Sequence, residues 1–464
     1  MKSMNMTQGP ILKQLILFAV PIYLTNLLQN LYNAADSLIV GQFCGGNALA
    51  AVGTTAPICW CLIGLFLGVS TGGSVVVSRY FGAGDSHGVH RAVHTGILLS
   101  MVCGMLISVL GVLFTPSILH LMNTDPVILE DAQRYLRIYF GGSFFLIVYN
   151  MGAGILRAVG DSRRPLIFLG CAAMTNVVLD LLFVGVFRWG VAGAAFATIG
   201  SQLVSAVLVI ATLIRSHGSF QLVPKKLKFT ACDTAAILKV GLPAGLQTAI
   251  INVSNIIIQT FINSYGAAAT AGSTAASKLD DFILIISSSI GLALMTFAGQ
   301  NIGAGDFKRV KKGTMTALIL TVVLMFSLGM LASLFRYQLV ELFVNQEDPN
   351  IQEIVAFGAS KVFFIATFYF IIGISDILSA TLRSCGSPIF PMISSFLWMC
   401  AFRIVWIYWL RFLIPVTDTA SIDSIFIVYP ITFVLTVSTL LLYYCFGPWR
   451  KKLQMRCEKT GNPA

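Results

Sequence analysis

Twelve apolar runs constrain this chain more than any other feature: roughly 11–40, 47–79, 92–118, 128–157, 164–187, 190–214, 235–265, 269–300, 313–336, 350–382, 388–413 and 422–446. A helix rises 1.5 Å per residue, so about 20 apolar residues cross the hydrocarbon core of a bilayer. Inside that core every backbone N–H and C=O must be paired internally, which leaves only helices and closed barrels. Barrel strands would alternate in ten-residue segments, a pattern missing here. The chain is 56% hydrophobic and 11% charged, far from the roughly 25% charged residues of soluble domains. The fold class expected is an all-α polytopic membrane protein with 12 transmembrane helices.

The net charge of +11 could point to nucleic acid, but its placement points to topology. With the N-terminus inside, twenty-two of the thirty Lys and Arg fall on inner segments, and only Arg188, Arg336 and Arg411 on outer ones. This positive-inside bias orients both termini toward the cytoplasm, and no nucleic-acid partner is expected. The ten cysteines stand singly apart from Cys59 and Cys61, with no CxxC pair, so neither a zinc site nor a disulfide framework is indicated. The first run exceeds a signal peptide and no persuasive cleavage site follows it, so it is expected to be retained.

The chain repeats itself. "FGAGD" (Phe81 to Asp85) returns as "IGAGD" (Ile302 to Asp306), and "LRAVGDSRRP" (Leu156 to Pro165) as "LRSCGSP" (Leu382 to Pro388). "FAVPIYL" (Phe18 to Leu24) returns as "VGLPAGL" (Val240 to Leu246), setting Pro21 opposite Pro243. Six helices per copy is an even number, so the repeats enter from the same face and run parallel. The expected domains are an N-terminal six-helix lobe at 1–214, a cytoplasmic linker at 215–234, a C-terminal six-helix lobe at 235–446 and a basic tail at 447–464, with a cleft between the lobes.

"TNVVLDLLF" (Thr175 to Phe183) lies within the fifth run, and Asn176 and Asp180 share one face of its helix. A carboxyl in hydrocarbon costs several kcal/mol unless paired, hydrated or protonated. A purely structural alternative is that the pair staples helices by hydrogen bonds.

The 6+6 layout, the proline of the first helix and the duplicated Gly-Ala-Gly-Asp and Leu-Arg…Gly…Pro turns together resemble the multidrug and toxic compound extrusion (MATE) transporters over nearly the whole chain. In their DinF-like branch an aspartate late in helix 1 joins an Asn and an Asp on helix 5 and a Thr on helix 6. The resemblance therefore implies a cation-coupling site at Asp36, Asn176, Asp180 and Thr198. Counting from the outer helix ends places Asp36, Asp180 and Thr198 roughly 7–12 Å deep, with Asn176 one turn deeper. Two nearby carboxylates resist joint ionisation, which suits a proton or Na⁺. The coupling ion, H⁺ or Na⁺, stays open, and no cofactor or other metal is expected. The repeat puts Ile258 opposite Asp36, and Met399 and Arg403 opposite Asn176 and Asp180, so the site belongs to the first half.

Pro21 cannot complete the helical bond one turn back, so helix 1 either carries a static kink or bends there. In the resembled family, changes at the carboxylate site are linked to bending of this helix, which implies a hinge at Pro21. The second half carries Lys278, Asp280, Asp281, Lys361, Asp376 and Arg403 within its helices. Internal ion pairing is one expectation for them; the other is that Asp280, Asp281 or Asp376 lines a cleft that receives a cationic substrate. Other MATE branches place a glutamate in helix 7 where this chain has Ile251, so a second-lobe cation site is not carried over.

Catalytic patterns are weak. "GVSTG" (Gly68 to Gly72) fits G-x-S-x-G but lies inside a helix, where Gly64, Gly68 and Gly72 form a membrane packing ridge. No Gly-Lys dipeptide occurs, so no Walker A loop exists. His87, His90 and His94 read as interfacial. The expected function is secondary active export of amphipathic, cationic drugs or toxins by a monomer in a bacterial-type plasma (inner) membrane, with lipid and small molecules as partners and no enzymatic activity. The alternatives are a lipid-linked oligosaccharide flippase, which would need several basic residues lining its cleft, and a membrane enzyme.

Overall fold

The computed structural model describes residues 4–122, 124–344, 349–413 and 419–449. Its helices follow the apolar runs: α1 (Ile11–Cys44), α2 (Gly46–Gly82), α3 (Ser86–Leu121), α4 (Pro126–Ala158), α5 (Arg163–Asp180), α6 (Val191–Arg215), α7 (Ala231–Asn263), α8 (Ala267–Gly303) and α9 (Phe307–Leu334). They continue with a broken span α10 (Ile351–Ala366 and Tyr369–Ser384), then α11 (Ile389–Trp409) and α12 (Asp423–Phe446). That makes 12 candidate membrane spans when the broken pair counts as one, and among the described residues there is no strand. Of the basic tail expected at 447–464, all but Gly447–Trp449 lies outside the described residues.

Two features depart from plain α-helix in ways the apolar pattern does not announce. The tenth run bends by 48° between Ala366 and Tyr369 although it holds neither proline nor glycine there. Thr367 Oγ1 donates to the Phe363 carbonyl at 2.7 Å, a back-bond of the kind that bends helices. In α5 and α11 the helix widens into π turns, Leu181–Val186 and Ser395–Phe402.

The duplicated turns share one geometry. After α2 and α8 the chain stops on Gly84 and Gly305, at φ 69° and 78°, a region that only glycine enters freely. In each copy the aspartate N–H that follows returns to the helix, Asp85 to Tyr80 at 3.0 Å and Asp306 to Asn301 at 2.9 Å. Asp85 then caps α3 by accepting from the Gly88 N–H at 2.8 Å. The sequence repeat is thus a structural repeat at these turns.

Two compact units divide the chain: Met1–Gly9, Leu17–Ala249 and Gly299–Asp306 form one, and Pro10–Ile16, Ile250–Ala298 and Phe307–Ala464 the other. The first unit is knit where small residues let backbones touch. A Cβ on Gly72 would lie 2.2 Å from the Ile237 carbonyl, and one on Gly68 would lie 2.3 Å from the Gly245 N–H. The glycine ridge of α2 therefore packs on Gly241 and Gly245 of α7, the use membrane helices make of small residues. A strap ahead of α1 is bound into the same unit. The Met6 N–H donates to Gln300 Oε1 at 2.9 Å, Asn301 Nδ2 donates to the Met6 carbonyl at 3.1 Å, and the Met4 N–H donates to the Gly160 carbonyl at 3.1 Å.

Candidate functional site

Asp36, Asn176, Asp180 and Thr198 all lie in the first unit. Asp36 sits two turns before the end of α1, and Asp180 closes the α-helical part of α5. Helices α5 and α6 run in contact. A Cβ on Gly193 would meet the Phe183 backbone at 3.1 Å, and one on Gly200 would meet the Leu179 side chain at 2.8 Å. That antiparallel register sets Thr198 level with Asp180. All four side chains are buried, with exposures of 8% for Asp36, 0% for Asn176 and Asp180, and 5% for Thr198.

The carboxyl groups of Asp36 and Asp180 are near enough to act on each other directly. Three of their four oxygens find no protein donor among the described residues. Both oxygens of Asp180, Oδ1 of Asp36, and both amide atoms of Asn176 are buried without a protein hydrogen-bond partner. A buried polar group left unmade costs about 1–3 kcal/mol, and a charge costs more. A staple between helices would spend these atoms on one another's donors; here they are buried and stay unspent among the described residues.

Two kinds of ion fit that donor set. A single proton between the carboxyls cancels one charge and turns the repulsion into an O–H···O⁻ bond. Na⁺ would take oxygens from Asp36, Asp180, the Asn176 amide and the Thr198 hydroxyl, whose hydrogen is already given to the Ala194 carbonyl at 3.0 Å. Hard oxygen ligands suit a hard cation.

The π turn begins immediately after Asp180. The Phe187 N–H reaches back five residues to the Leu182 carbonyl at 2.8 Å. Such turns rotate the helix face locally and recur at functional sites. Aromatic side chains close the surroundings: Tyr135 of α4 packs in one apolar cluster with Val40 and Val184, each one turn beyond a carboxylate. One helical turn away lies a cavity of about 20 Å³, whose polar lining residues include Gln29, Tyr32, Tyr149, Asn150, Gln202 and Ser205, room for about one water. The apolar pattern does not single these residues out. A signal is nonetheless present, because Tyr32 and Gln29 stand four and seven residues before Asp36, while Gln202 and Ser205 stand four and seven after Thr198, on the same faces.

The second unit arranges its charges differently from simple ion pairing. Lys361 Nζ donates to the Ser273 carbonyl at 3.0 Å, to Ser273 Oγ at 3.1 Å and to Ser277 Oγ at 2.6 Å. Asp280 accepts from the Tyr369 hydroxyl and Asp376 from Ser287 Oγ at 2.6 Å, while Asp281 is exposed. None of the three acids lies within ion-pair distance of a base among the described residues. Asp280 and Asp376 thus pair directly with hydroxyls, and the bases Lys278, Lys361 and Arg383 act on the three acids only from beyond ion-pair distance.

The sequence model of the MatE family matches residues 21–182 and 243–409, both repeats including Pro21, Asp36, Asn176 and Asp180. The chain belongs to the MatE family. Its relatives include the "Probable multidrug resistance protein YpnP" of Bacillus subtilis, 31% identical over 99% of this chain and 100% of that protein. At 26% identity it also matches the "Probable multidrug resistance protein NorM" of Thermotoga maritima, over 97% of this chain and 95% of that protein. The "FAD transporter" of Shewanella oneidensis matches at 26% over 78% of this chain and 80% of that protein. Among solved structures, one described as "Outward-facing conformation of a multidrug resistance MATE family transporter of the MOP superfamily" superimposes with a TM-score of 0.87 at 21% identity, covering 98% of this chain and 99% of that one. The MatE fold expected from the sequence is the fold found, and MatE proteins are transporters rather than enzymes.

Proposed function

We propose that this MatE transporter exports amphipathic, cationic drugs or toxins in exchange for H⁺ or Na⁺ by alternating access, coupled through Asp36, Asn176, Asp180 and Thr198. The observation that carries this reading is the buried carboxyl pair, three of whose oxygens find no protein donor among the described residues. A group of that kind changes its charge when an ion arrives, and coupling needs such a change. The multidrug resistance names borne by YpnP and NorM support the substrate class.

Pro21 is the proposed hinge. It lies inside α1, and the boundary between the two compact units crosses that helix at Ile16 and Leu17, one turn ahead of the proline. Asp280, Asp281 and Asp376 are the proposed acceptors for the cationic end of a substrate, since no base lies within ion-pair distance of them among the described residues. The working parts are the repeats at 1–214 and 235–446, joined by the 215–234 linker and followed by the 447–464 tail. One chain supplies the whole coupling site, so a monomer suffices.

Purified protein in liposomes tests this directly, with pH and Na⁺ gradients imposed one at a time. One gradient alone should drive an amphipathic cation uphill; substrate movement indifferent to both gradients would contradict the antiport reading. The proposed membrane orientation, with both termini in the cytoplasm, has its own check. In a cysteine-free background, single cysteines at Thr124 and Arg188 should react with an impermeant maleimide from outside, and one at Lys226 only after permeabilisation. External labelling at Lys226 would reverse the orientation.

A further inference from the structure

The repeat pairs Asp180 with Arg403, since both this pair and the two turn prolines, Pro165 and Pro388, are 223 residues apart. Each half also carries a π turn beside this position, on opposite sides of it. Asp180 is the last α-helical residue before the π turn of α5, and Arg403 is the first after the π turn of α11. At this matched position the first half carries a buried acid and the second half a buried base.

Arg403 is 2% exposed within a membrane span, yet no carboxylate lies within ion-pair distance of it among the described residues. Its Nε donates to Thr432 Oγ1 at 3.0 Å. Its Cζ lies 4.5 Å from the Tyr429 ring centre and 5.7 Å from that of Phe433. The ring faces stabilise the cation without consuming its N–H donors. The two terminal nitrogens have no protein acceptor among the described residues. Lys361, the other fully embedded base, has spent its three donors on serine oxygens. Arg403 therefore keeps its terminal cationic donors free, in a fork suited to bidentate contact with an oxyanion.

We propose that Arg403 is a substrate-binding residue whose guanidinium receives a carboxylate or phosphate of an amphipathic substrate, with Tyr429 and Phe433 against the substrate's apolar body. The inference rests on the export reading for there being a substrate, and it adds a class which that reading lacks: molecules carrying an oxyanion.

Binding of three probes to the purified full-length protein tests it: norfloxacin, which carries a carboxylate, its methyl ester, which does not, and ethidium, a cation without an oxyanion. Arg403→Gln should weaken norfloxacin by at least about tenfold, the loss expected for a charged hydrogen bond, while ester and ethidium change by less than about threefold. Arg403→Lys keeps the charge but loses the fork, so its loss for norfloxacin should be intermediate. If Arg403→Gln does not fold, the Lys variant carries the same comparison. Equal losses for acid and ester, or no loss for either, would overturn the proposal. Gradient-driven ethidium transport is read in the same preparations: if it persists while norfloxacin is indifferent to Arg403, the oxyanion site alone falls and the coupling reading stands.

Discussion

Asp36→Asn should reduce ion-driven efflux to the background of empty liposomes while the protein still inserts, folds and binds substrate. The asparagine is nearly the same size and the position is buried along α1, so packing is preserved. What is lost is the charge that an arriving cation cancels. Asp36 and Asp180 act on each other directly, so removing one carboxylate also removes the repulsion that helps the other hold a proton or Na⁺. Uncoupled substrate equilibration in the same liposomes measures whether the carrier still moves. Full gradient-driven accumulation by Asp36→Asn would exclude Asp36 as a coupling group.

The site is more legible in the sequence than its setting. A carboxylate in an apolar run is conspicuous because hydrocarbon offers it nothing, and the i, i+4 spacing of Asn176 and Asp180 alone sets their common face. Bringing Asp36 and Thr198 to them takes the family resemblance, because depth along three separate helices leaves rotation about each axis free. The cavity lined by Gln29, Tyr32 and Gln202 follows the same helical spacing but is obscured, since a lone Gln or Tyr in a membrane helix is common enough to need no explanation. The π turns at Leu181–Val186 and Ser395–Phe402 leave no mark in the sequence: a hydrogen bond from i to i+5 differs from one to i+4 by tertiary fit, not by residue type. The bend at Thr367 is hidden for a related reason, as it uses neither proline nor glycine. In the second half, opposite charges suggest ion pairs, whereas Lys361 turns to serine oxygens and the acids to hydroxyls.

Asp180 separates a coupling site from a helix staple most sharply. Asparagine can still donate and accept, so as a staple Asp180→Asn should cost no more than the roughly 0.6 kcal/mol average of interhelical hydrogen bonds in membranes. Its thermal stability in detergent should therefore stay close to wild type under either reading. Coupling demands more, because only an ionisable group binds and releases the driving ion. The deciding measurement is substrate affinity and gradient-driven transport of wild type and Asp180→Asn, in one purified preparation each, between about pH 5.5 and 8.5. The account predicts a pH-dependent wild type and a mutant that binds substrate yet no longer responds to the ion gradient. Asp180→Asn transporting at the wild-type rate with an unchanged pH profile would contradict it.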